Sequence, residues 1–358
     1  MKKILFVLGT RPEAIKLNPV IKQFGLNKSF ETLIFTTGQQ ESLLNNILDE
    51  LNIIPNKKIK MKIKNSNISQ HVSDLVNAVN KYIIATKPNL IIVQGDTSTA
   101  FAAALSAFLN NIPIAHVEAG LRSLNLDSPF PEEGYRQMIS RLSRFNFAPT
   151  SLAKSNLLSE GVAPEKIFIV GNTIVDSVIE NLSEIESVKI ENKILITLHR
   201  RENFGKPLTD ICNGVYKFAT ENQPTRIKII MHPNPNSSET IVNILGKLNN
   251  IELISPLRYV DLLKEILSSI YILTDSGGIQ EECNILKVPL LIARNETERP
   301  EVLSSSKLLG TSSETIYTAM KDLFLNSEKN ERSISFNLNS FGDGNSALQI
   351  AKIIESSL

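Results

Sequence analysis

The chain has 358 residues, 42% of them hydrophobic and 21% charged, which is typical of folded proteins and allows two domains with separate cores. Lys and Arg number 38 and Asp and Glu 37, so the net charge is +1, which excludes the strong basic field that attracts nucleic acid or an anionic membrane. Two cysteines without a Cys-x-x-Cys spacing, and no apolar run near the roughly 20 residues of a membrane span, predict a cytoplasmic protein without a disulfide framework or cysteine zinc site.

The first half of the chain predicts a parallel sheet. Short apolar runs alternate with segments of helical periodicity, and continuous apolar strands joined by helices are typical of a sheet that is covered on both faces. The predicted strands are residues 4–8, 32–36, 89–93, 112–115, 146–148 and 167–170.

A second series of strands and helices follows and predicts a second doubly wound unit. Its strands are residues 193–197, 226–231, 251–254, 269–274 and 289–292, with helices at 209–220 and 260–267. The fold class is therefore α/β with two Rossmann-like lobes, which we place at residues 1–171 and 172–344 and which are followed by a terminal helix at 345–358.

The segment after the first strand predicts an anion site. Thr10 and Glu13 have the spacing of a capping box, so a helix begins there, and Arg11 and Lys16 flank its N-terminus. The alternative is an ordinary capped helix with solvated basic side chains.

The segment after the strand at 269–274 predicts a second anion site. Gly277 and Gly278 expose backbone N–H groups at a helix start, Ser276 offers a hydroxyl, and Glu282 lies one turn further on. This suits a diphosphate with a ribose beside it, although a tight strand-to-helix turn would also need two glycines. The glycine motifs of NAD-binding and P-loop proteins are both missing.

Three carboxylates of the first lobe are candidates for acid–base chemistry. Asp96 and Glu118 follow predicted strands, and Glu132 follows a proline, so we expect the three to meet at one edge of the sheet. Crowded carboxylates take different pKa values, which lets one act as acid and another as base. Taken singly, Asp96 could simply cap a helix.

His116 and Glu118 have the spacing of two metal ligands on one face of a strand. No third ligand is spaced near them, so no metal is predicted.

Two histidines and an arginine complete the set of candidates. His199 and His232 follow strands, and His199 is followed by Arg200; a histidine and an arginine beside a phosphate suit a departing nucleoside diphosphate. Arg299 lies on a charged loop after the last apolar run, where a solvent-exposed turn is the alternative.

Seven segments in order along the chain resemble those of the non-hydrolysing UDP-N-acetylglucosamine 2-epimerases. They are Gly9-Thr10-Arg11-Pro12-Glu13-Ala14-Ile15-Lys16, Gln94-Gly95-Asp96-Thr97, His116-Val117-Glu118-Ala119-Gly120-Leu121-Arg122, Pro131-Glu132-Glu133, His199-Arg200-Arg201-Glu202-Asn203, Asp275-Ser276-Gly277-Gly278-Ile279-Gln280-Glu281-Glu282 and Thr297-Glu298-Arg299-Pro300-Glu301. The resemblance implies a glycosyltransferase-B-like fold, an active site in the interlobe cleft, a C-terminal helix packed back on the first lobe, a homodimer, and no cofactor.

The resemblance also implies the reaction. UDP-GlcNAc and UDP-ManNAc would interconvert by anti elimination of UDP to a 2-acetamidoglucal and re-addition. Asp96, Glu118 and Glu132 would be the acid–base groups, with His199 at the leaving group. The residues implied to bind UDP are Arg11, Lys16, Arg136, His232, Ser276, Gly277, Gly278, Glu282 (at the ribose) and Arg299.

The chain departs from the family pattern at two places. Tyr135 stands where the family has Asn. The effector site that binds a second UDP-GlcNAc in bacterial members would retain Gln39, Gln40 and Arg200, but Asn65 and Ser66 stand where Arg and Gln are common, so we expect weakened or absent activation by substrate.

Four other activities fit parts of the same sequence. An epimerase of a related UDP-2-acetamido-6-deoxy sugar would share every motif, because no residue reveals a contact to C6. A hydrolysing epimerase, a UDP-sugar glycosyltransferase and a catalytically inactive nucleotide-sugar sensor are the remaining alternatives.

Overall fold

The computed structural model describes residues 1–38, 41–60, 67–185, 188–327 and 341–358. It divides into two compact units, one of Met1–Ile179 with Phe341–Leu358 and the other of Glu180–Ser340. We call them the N-terminal and the C-terminal unit. Each is built on one parallel sheet with helices, so the predicted fold class of two doubly wound α/β lobes is confirmed.

The N-terminal unit contains a seven-stranded sheet in the order β3-β2-β1-β4-β5-β6-β7, with every neighbouring pair parallel. Its strands are β1 (Lys2–Leu8), β2 (Phe30–Thr36), β3 (Lys57–Lys58), β4 (Leu90–Gln94), β5 (Ile114–Val117), β6 (Phe145–Ala148) and β7 (Ile167–Ile169). The helices that connect or follow them are α1 (Arg11–Leu26), α2 (Glu41–Glu50), α3 (Ile68–Thr86), α4 (Ser98–Leu109), α5 (Glu132–Leu142), α6 (Ser151–Ser159) and α7 (Thr173–Leu182).

The C-terminal unit contains a six-stranded parallel sheet in the order β10-β9-β8-β11-β12-β13. Its strands are β8 (Lys193–Thr197), β9 (Arg226–Ile230), β10 (Ile251–Ile254), β11 (Tyr271–Thr274), β12 (Leu290–Ile292) and β13 (Ser306–Leu308). Its helices are α8 (Lys206–Glu221), α9 (Pro235–Leu245), α10 (Tyr259–Ser268), α11 (Gly277–Ile285) and α12 (Ser313–Ser327).

The last helix, α13 (Ser346–Ser357), belongs to the N-terminal unit and packs on α1. Two hydrogen bonds donated by backbone N–H groups hold the segment that carries it. Asn172 N donates to Phe341 O at 2.7 Å, and Ala347 N donates to the Asp176 carboxylate at 2.9 Å. Burial raises the pKa of Asp176, whose oxygen satisfies a donor at the start of the helix.

The predicted strands are found, with shifts at their ends and two additions. β5 begins after Pro113, which lacks an N–H for the sheet. β11 begins two residues late because Ser269 is the C-cap of α10 and its backbone N–H donates to Ile266 O. β3 and β13 were not predicted, because two or three residues at a sheet edge carry no periodic signal. No helix in the described ranges has the length and hydropathy needed to cross a bilayer.

Candidate functional site

In the N-terminal unit, the ends of three neighbouring strands carry the predicted loops. β1 leads into the Thr10–Glu13 segment, β4 into Asp96, and β5 into Glu118. Because β1, β4 and β5 are adjacent and parallel, their carboxyl ends lie at one edge of the sheet. The predicted capping box is confirmed, since Thr10 N donates to the Glu13 carboxylate at 2.6 Å.

Glu118 is held by a buried lysine. Lys16 Nζ lies 2.7 Å from Oε1 and 2.8 Å from Oε2 of Glu118, and each side chain is 4% exposed. The Gln94 amide donates to the same carboxylate. Lys16 therefore compensates the charge of Glu118, a contact that the sequence analysis did not foresee.

Asp96 is held by an arginine. Arg136, on α5, forms an ion pair with Asp96, whose side chain remains 27% exposed. Arg136 also lies 3.5 Å from the buried Glu133 carboxylate. Of the cations assigned to UDP from the sequence, Arg136 and Lys16 thus contact two of the three candidate acid–base groups.

Glu132 and Arg11 are both partly exposed. Glu132 begins α5, and Arg11 begins α1.

The departure from the family pattern at Tyr135 has a packing explanation. Its ring stacks on Phe101 of α4, with centroids 4.7 Å apart and an angle of 6°, so Tyr135 joins α5 to α4.

Two buried titratable groups, Glu13 and His116, contact the residues on either side of Asp96, and the sequence analysis does not predict them as site residues. Glu13 accepts hydrogen bonds from Gly9, Thr10 and Thr97, and its complete burial raises its pKa to about 7. His116 lies 2.8 Å from Gly95 O through Nε2, and burial lowers its pKa to about 4. Both residues belong to the family motifs, but only the fold reveals their hydrogen-bond partners.

In the C-terminal unit, Asp275 organises the loop that carries the candidate histidine. This fully buried carboxylate accepts from His199 N at 3.0 and 3.1 Å and from Arg200 N and Asn203 Nδ2 at 3.0 Å each. Asp275 directly follows β11, a position typical of site residues, but the sequence alone does not predict its role.

The two candidate histidines stack on each other. Their ring centroids are 5.3 Å apart with an angle of 15°, and His199 Nδ1 lies 3.7 Å from the Asp275 carboxylate. Burial lowers the pKa of His199 against the effect of Asp275, and burial together with His199 lowers the pKa of His232 to about 4. His232 Nδ1 accepts from Asn234 N at 3.1 Å. Both shifts favour the neutral form of the ring.

Three arginines share one buried glutamate. Glu298 contacts Arg200 at 3.5 Å, Arg294 at 2.9 Å, and Arg299, while Arg299 Nε lies 2.5 Å from Glu281. Glu298 is 2% exposed. The loop at 296–301, for which a solvated turn was the alternative, is thus part of a buried ion-pair network. Glu298 and Glu281 were not predicted.

The N-terminus of α11 faces these guanidinium groups. A Cβ at Gly277 would lie 2.5 Å from Arg299 Nη1 and 3.0 Å from Arg200 Nη2, so any larger residue there would have to displace these guanidinium groups. Ser276 is the N-cap residue, Gly278 is partly exposed, and Glu282 is buried one turn along the helix. Helix N–H groups and two guanidiniums at one point suit a diphosphate.

Some predicted positions lie outside the described residues. These are Gln39, Gln40, Asn65 and Ser66, which belong to the predicted effector site. Arg200, its remaining member, lies in the arginine network. Within the described ranges, no group of three His, Cys, Asp or Glu side chains is arranged to hold a metal ion.

The sequence was compared with models of known protein families. The family model for UDP-N-acetylglucosamine 2-epimerase matches residues 22–355, which is most of the chain. The chain belongs to the UDP-N-acetylglucosamine 2-epimerase family. The resemblance found in the sequence is confirmed, and so is the prediction of an epimerase enzyme.

Individual relatives match this epimerase over nearly its whole length. The UDP-N-acetylglucosamine 2-epimerase of Salmonella borreze is 37% identical over 98% of this chain and 97% of its own. The crystal structure of UDP-GlcNAc 2-epimerase from Neisseria meningitidis bound to UDP-GlcNAc is 34% identical, covers 99% of this chain and 100% of its own, and has a TM-score of 0.92. The Methanocaldococcus jannaschii UDP-GlcNAc 2-epimerase in complex with UDP-GlcNAc and UDP is 34% identical, covers 99% of each chain, and has a TM-score of 0.88.

The likeness of fold extends beyond the epimerases. MurG from Acinetobacter baumannii, which has the glycosyltransferase-B fold, matches this epimerase over 99% of each chain with a TM-score of 0.54 at 11% identity. At that identity the match concerns the fold alone, and it confirms the glycosyltransferase-B-like class.

Proposed function

We propose that this epimerase interconverts UDP-GlcNAc and UDP-ManNAc without hydrolysing either. The observation that carries the proposal is the pairing of Asp96 with Arg136 and of Glu118 with Lys16 at adjacent strand ends. Inversion at C2 needs proton transfer on both faces of the sugar, and two carboxylates held at adjacent strand ends would be placed to take part in it. Relatives of known structure that bind UDP-GlcNAc support the substrate.

The proposed chemistry is an anti elimination followed by re-addition. A carboxylate takes the proton from C2 while the C1–O bond to UDP breaks, which forms 2-acetamidoglucal and UDP. A UDP phosphate oxygen then adds back to C1, and a different group, in its protonated form, gives a proton to C2 on the opposite face. Asp96, Glu118 and Glu132 are the proposed acid–base groups.

The C-terminal unit supplies the proposed UDP site. Arg299 and the N–H groups at the start of α11 would hold the diphosphate, with Ser276 beside them and Glu282 at the ribose. His199, whose backbone N–H donates to Asp275, would donate a hydrogen bond from its ring to the departing oxygen. Arg11 and His232 are proposed as further contacts to UDP.

The test is proton NMR of UDP-GlcNAc with the enzyme in deuterium oxide. We expect UDP-ManNAc to form with deuterium at C2. A glycosyltransferase or a nucleotide-sugar sensor would leave the C2 proton in place, and a hydrolysing enzyme would release free ManNAc with UDP. A faster reaction with the 6-deoxy sugar nucleotide than with UDP-GlcNAc would move the assignment to that substrate.

We also propose that activation by substrate is weak or absent, because Asn65 and Ser66 replace the Arg and Gln common at the effector site. The rate with UDP-ManNAc would be measured with and without trace UDP-GlcNAc. A large, saturable increase on adding the trace substrate would refute this.

A further inference from the structure

The turn at residues 95–97, which joins β4 to α4, carries Asp96 and is held on both sides by buried side chains from other elements. Gly95 has φ +68, a conformation that favours glycine, and its N–H donates to Val117 O at 3.1 Å. Thr97 follows Asp96 and caps α4 by accepting from Ala100 N. The direction of the Asp96 carboxylate therefore depends on what holds its two neighbours.

His116 holds Gly95. Its Nε2 lies 2.8 Å from Gly95 O, and because a carbonyl only accepts, Nε2 carries the proton. Nδ1 then faces the Ser140 hydroxyl of α5 at 3.4 Å. The ring is 0% exposed, and burial lowers its pKa to about 4, so this neutral form persists at neutral pH. His116 thus lies between the Asp96 turn and the helix that carries Arg136, where the Ser140 hydroxyl donates to Arg136 O at 2.9 Å.

Glu13 holds Thr97. The Thr97 hydroxyl donates to Oε1 of Glu13 at 2.6 Å, while Oε2 accepts from Gly9 N at 2.8 Å and Thr10 N at 2.6 Å. A capping box needs only the bonds within the Thr10 loop, so the bond to Thr97 is additional. If Glu13 is protonated, the same pair of oxygens stays bonded with the donor reversed. The link between the two loops therefore survives titration.

We propose that Glu13 and His116 are positioning residues for Asp96: they fix Thr97 and Gly95, and so aim the carboxylate between them. This inference rests on the proposed function, because it takes Asp96 as an acid–base group. Displacing a reacting group by about 1 Å can lower the rate by about 100-fold, so two bonds that fix its turn are of catalytic consequence.

The test compares His116→Leu, which removes the bond to Gly95, with His116→Gln, whose amide N–H can replace Nε2. We expect the leucine variant to lower kcat by about 10- to 100-fold and the glutamine variant to recover most of it. The dissociation constant for UDP should stay within about twofold of wild type, because the arginines and the helix start proposed to hold the diphosphate belong to the C-terminal unit and do not contact His116.

Asn146→Leu is the matched control. Asn146 pairs with His116 in the β5–β6 register and is equally buried, and among the described residues its side chain has no hydrogen-bond partner. Its replacement changes polarity beside His116 without touching the Asp96 turn, so kcat should remain that of wild type. An equal loss of kcat in Asn146→Leu would overturn the positioning role.

Glu13 is tested in the same way with Glu13→Ala and Glu13→Gln. The amide can accept from Gly9 and Thr10 and donate to Thr97, so the glutamine variant should keep most of kcat while the alanine variant loses about 10-fold or more. Because both residues act on one turn, the losses in Glu13→Ala and His116→Leu should be non-additive in the double variant.

The outcomes separate this inference from the proposed function. If the wild-type enzyme fails to exchange the C2 proton, the proposed function is wrong and the inference falls with it. If wild type exchanges and His116→Leu and Glu13→Ala keep kcat within about twofold, the inference alone is wrong. A loss of UDP affinity equal to the loss of kcat, with lowered thermal unfolding temperatures, would show a general structural role and also overturn it.

Discussion

At the scale of single residues, the site consists of charges that are compensated by neighbours distant in sequence. Lys16 meets Glu118, and Arg136 meets Asp96. Buried ion pairs of this kind are costly to break, because one charge is then left without its partner. Two of the three carboxylates proposed for acid–base work, Glu118 and Asp96, are therefore fixed in place by their own counterions.

Replacing the proposed acid–base carboxylates should strongly lower turnover and leave the affinity for UDP nearly unchanged. We expect Asp96→Asn and Glu132→Gln each to lower kcat by about 100-fold or more, because proton transfer at C2 loses its donor or acceptor. UDP affinity, measured by calorimetry, should change little. An equal loss of affinity would show that these residues are structural.

Gly277→Ala should weaken UDP binding. The new Cβ would lie 2.5 Å from Arg299 Nη1, so the guanidinium must move away from the start of α11. We expect the dissociation constant for UDP to rise by about 10-fold, which corresponds to one lost charge-assisted bond. Gly25→Ala is the control, because nothing lies within 4 Å of its Cβ position and Gly25 is exposed. Unchanged UDP affinity in Gly277→Ala would contradict the proposed diphosphate site.

Glu13 should make stability depend on pH. Its folded-state pKa of about 7 lies above the ordinary value of 4.5, so the folded chain binds this proton more tightly, and its contribution to stability is lost as pH rises through 7. Each pKa unit corresponds to about 1.4 kcal/mol, so Glu13→Gln should gain up to about 3 kcal/mol relative to wild type between pH 5 and pH 8. Urea unfolding at both pH values measures this; a constant difference would argue that burial does not raise this pKa.

At the scale of elements, most strands could be predicted from the sequence, but the side-chain contacts of the loops that follow them could not. Continuous apolar runs identified β1, β4, β8 and β11, because buried parallel strands leave a strong pattern. β3 and β13 are edge strands too short to leave one.

The candidate loops were found for a similar reason, since they follow strands, but their contacts were not. Asp275 and His199 are 76 positions apart, and Lys16 and Glu118 are 102 apart, so nothing local in the sequence indicates either pair. Tyr135 likewise departs from the family pattern, and only its stacking on Phe101 shows why the position tolerates an aromatic ring.

The anchoring of α13 should be sensitive to Asp176. Removing the carboxylate that accepts from Ala347 N leaves a buried donor without its partner, so Asp176→Ala should lower the free energy of unfolding by about 1–2 kcal/mol. Glu355→Ala, which removes an exposed bond from Asn27 near the other end of α13, should change it by less than about 0.5 kcal/mol. Equal effects in chemical denaturation would show that the carboxylate does not anchor the helix.

At the scale of the whole molecule, the two units carry different sets of candidate residues. The N-terminal unit carries the proposed acid–base carboxylates, and the C-terminal unit carries the arginine network around Glu298, the stacked pair His199 and His232, and the helix that begins with glycine. The near-zero net charge of +1 therefore averages over strongly charged regions. The likeness to MurG concerns the fold alone, whereas family membership rests on the match of the family model to residues 22–355.

The predicted homodimer remains to be measured. Light scattering on the full-length chain should give twice the chain mass of 39.7 kDa across a range of concentrations. A mass equal to one chain at every concentration would rule the homodimer out.

The arginine network has a consequence for how a ligand arrives. Arg200, Arg294 and Arg299 are already in contact with Glu298, Glu281 and Glu202, so their charges are matched before any anion binds. Such a site exerts little long-range attraction, and the encounter with a nucleotide should depend only weakly on ionic strength. Capture would then proceed by an exchange of partners at short range, in which a diphosphate takes over hydrogen bonds that carboxylates held in the resting enzyme.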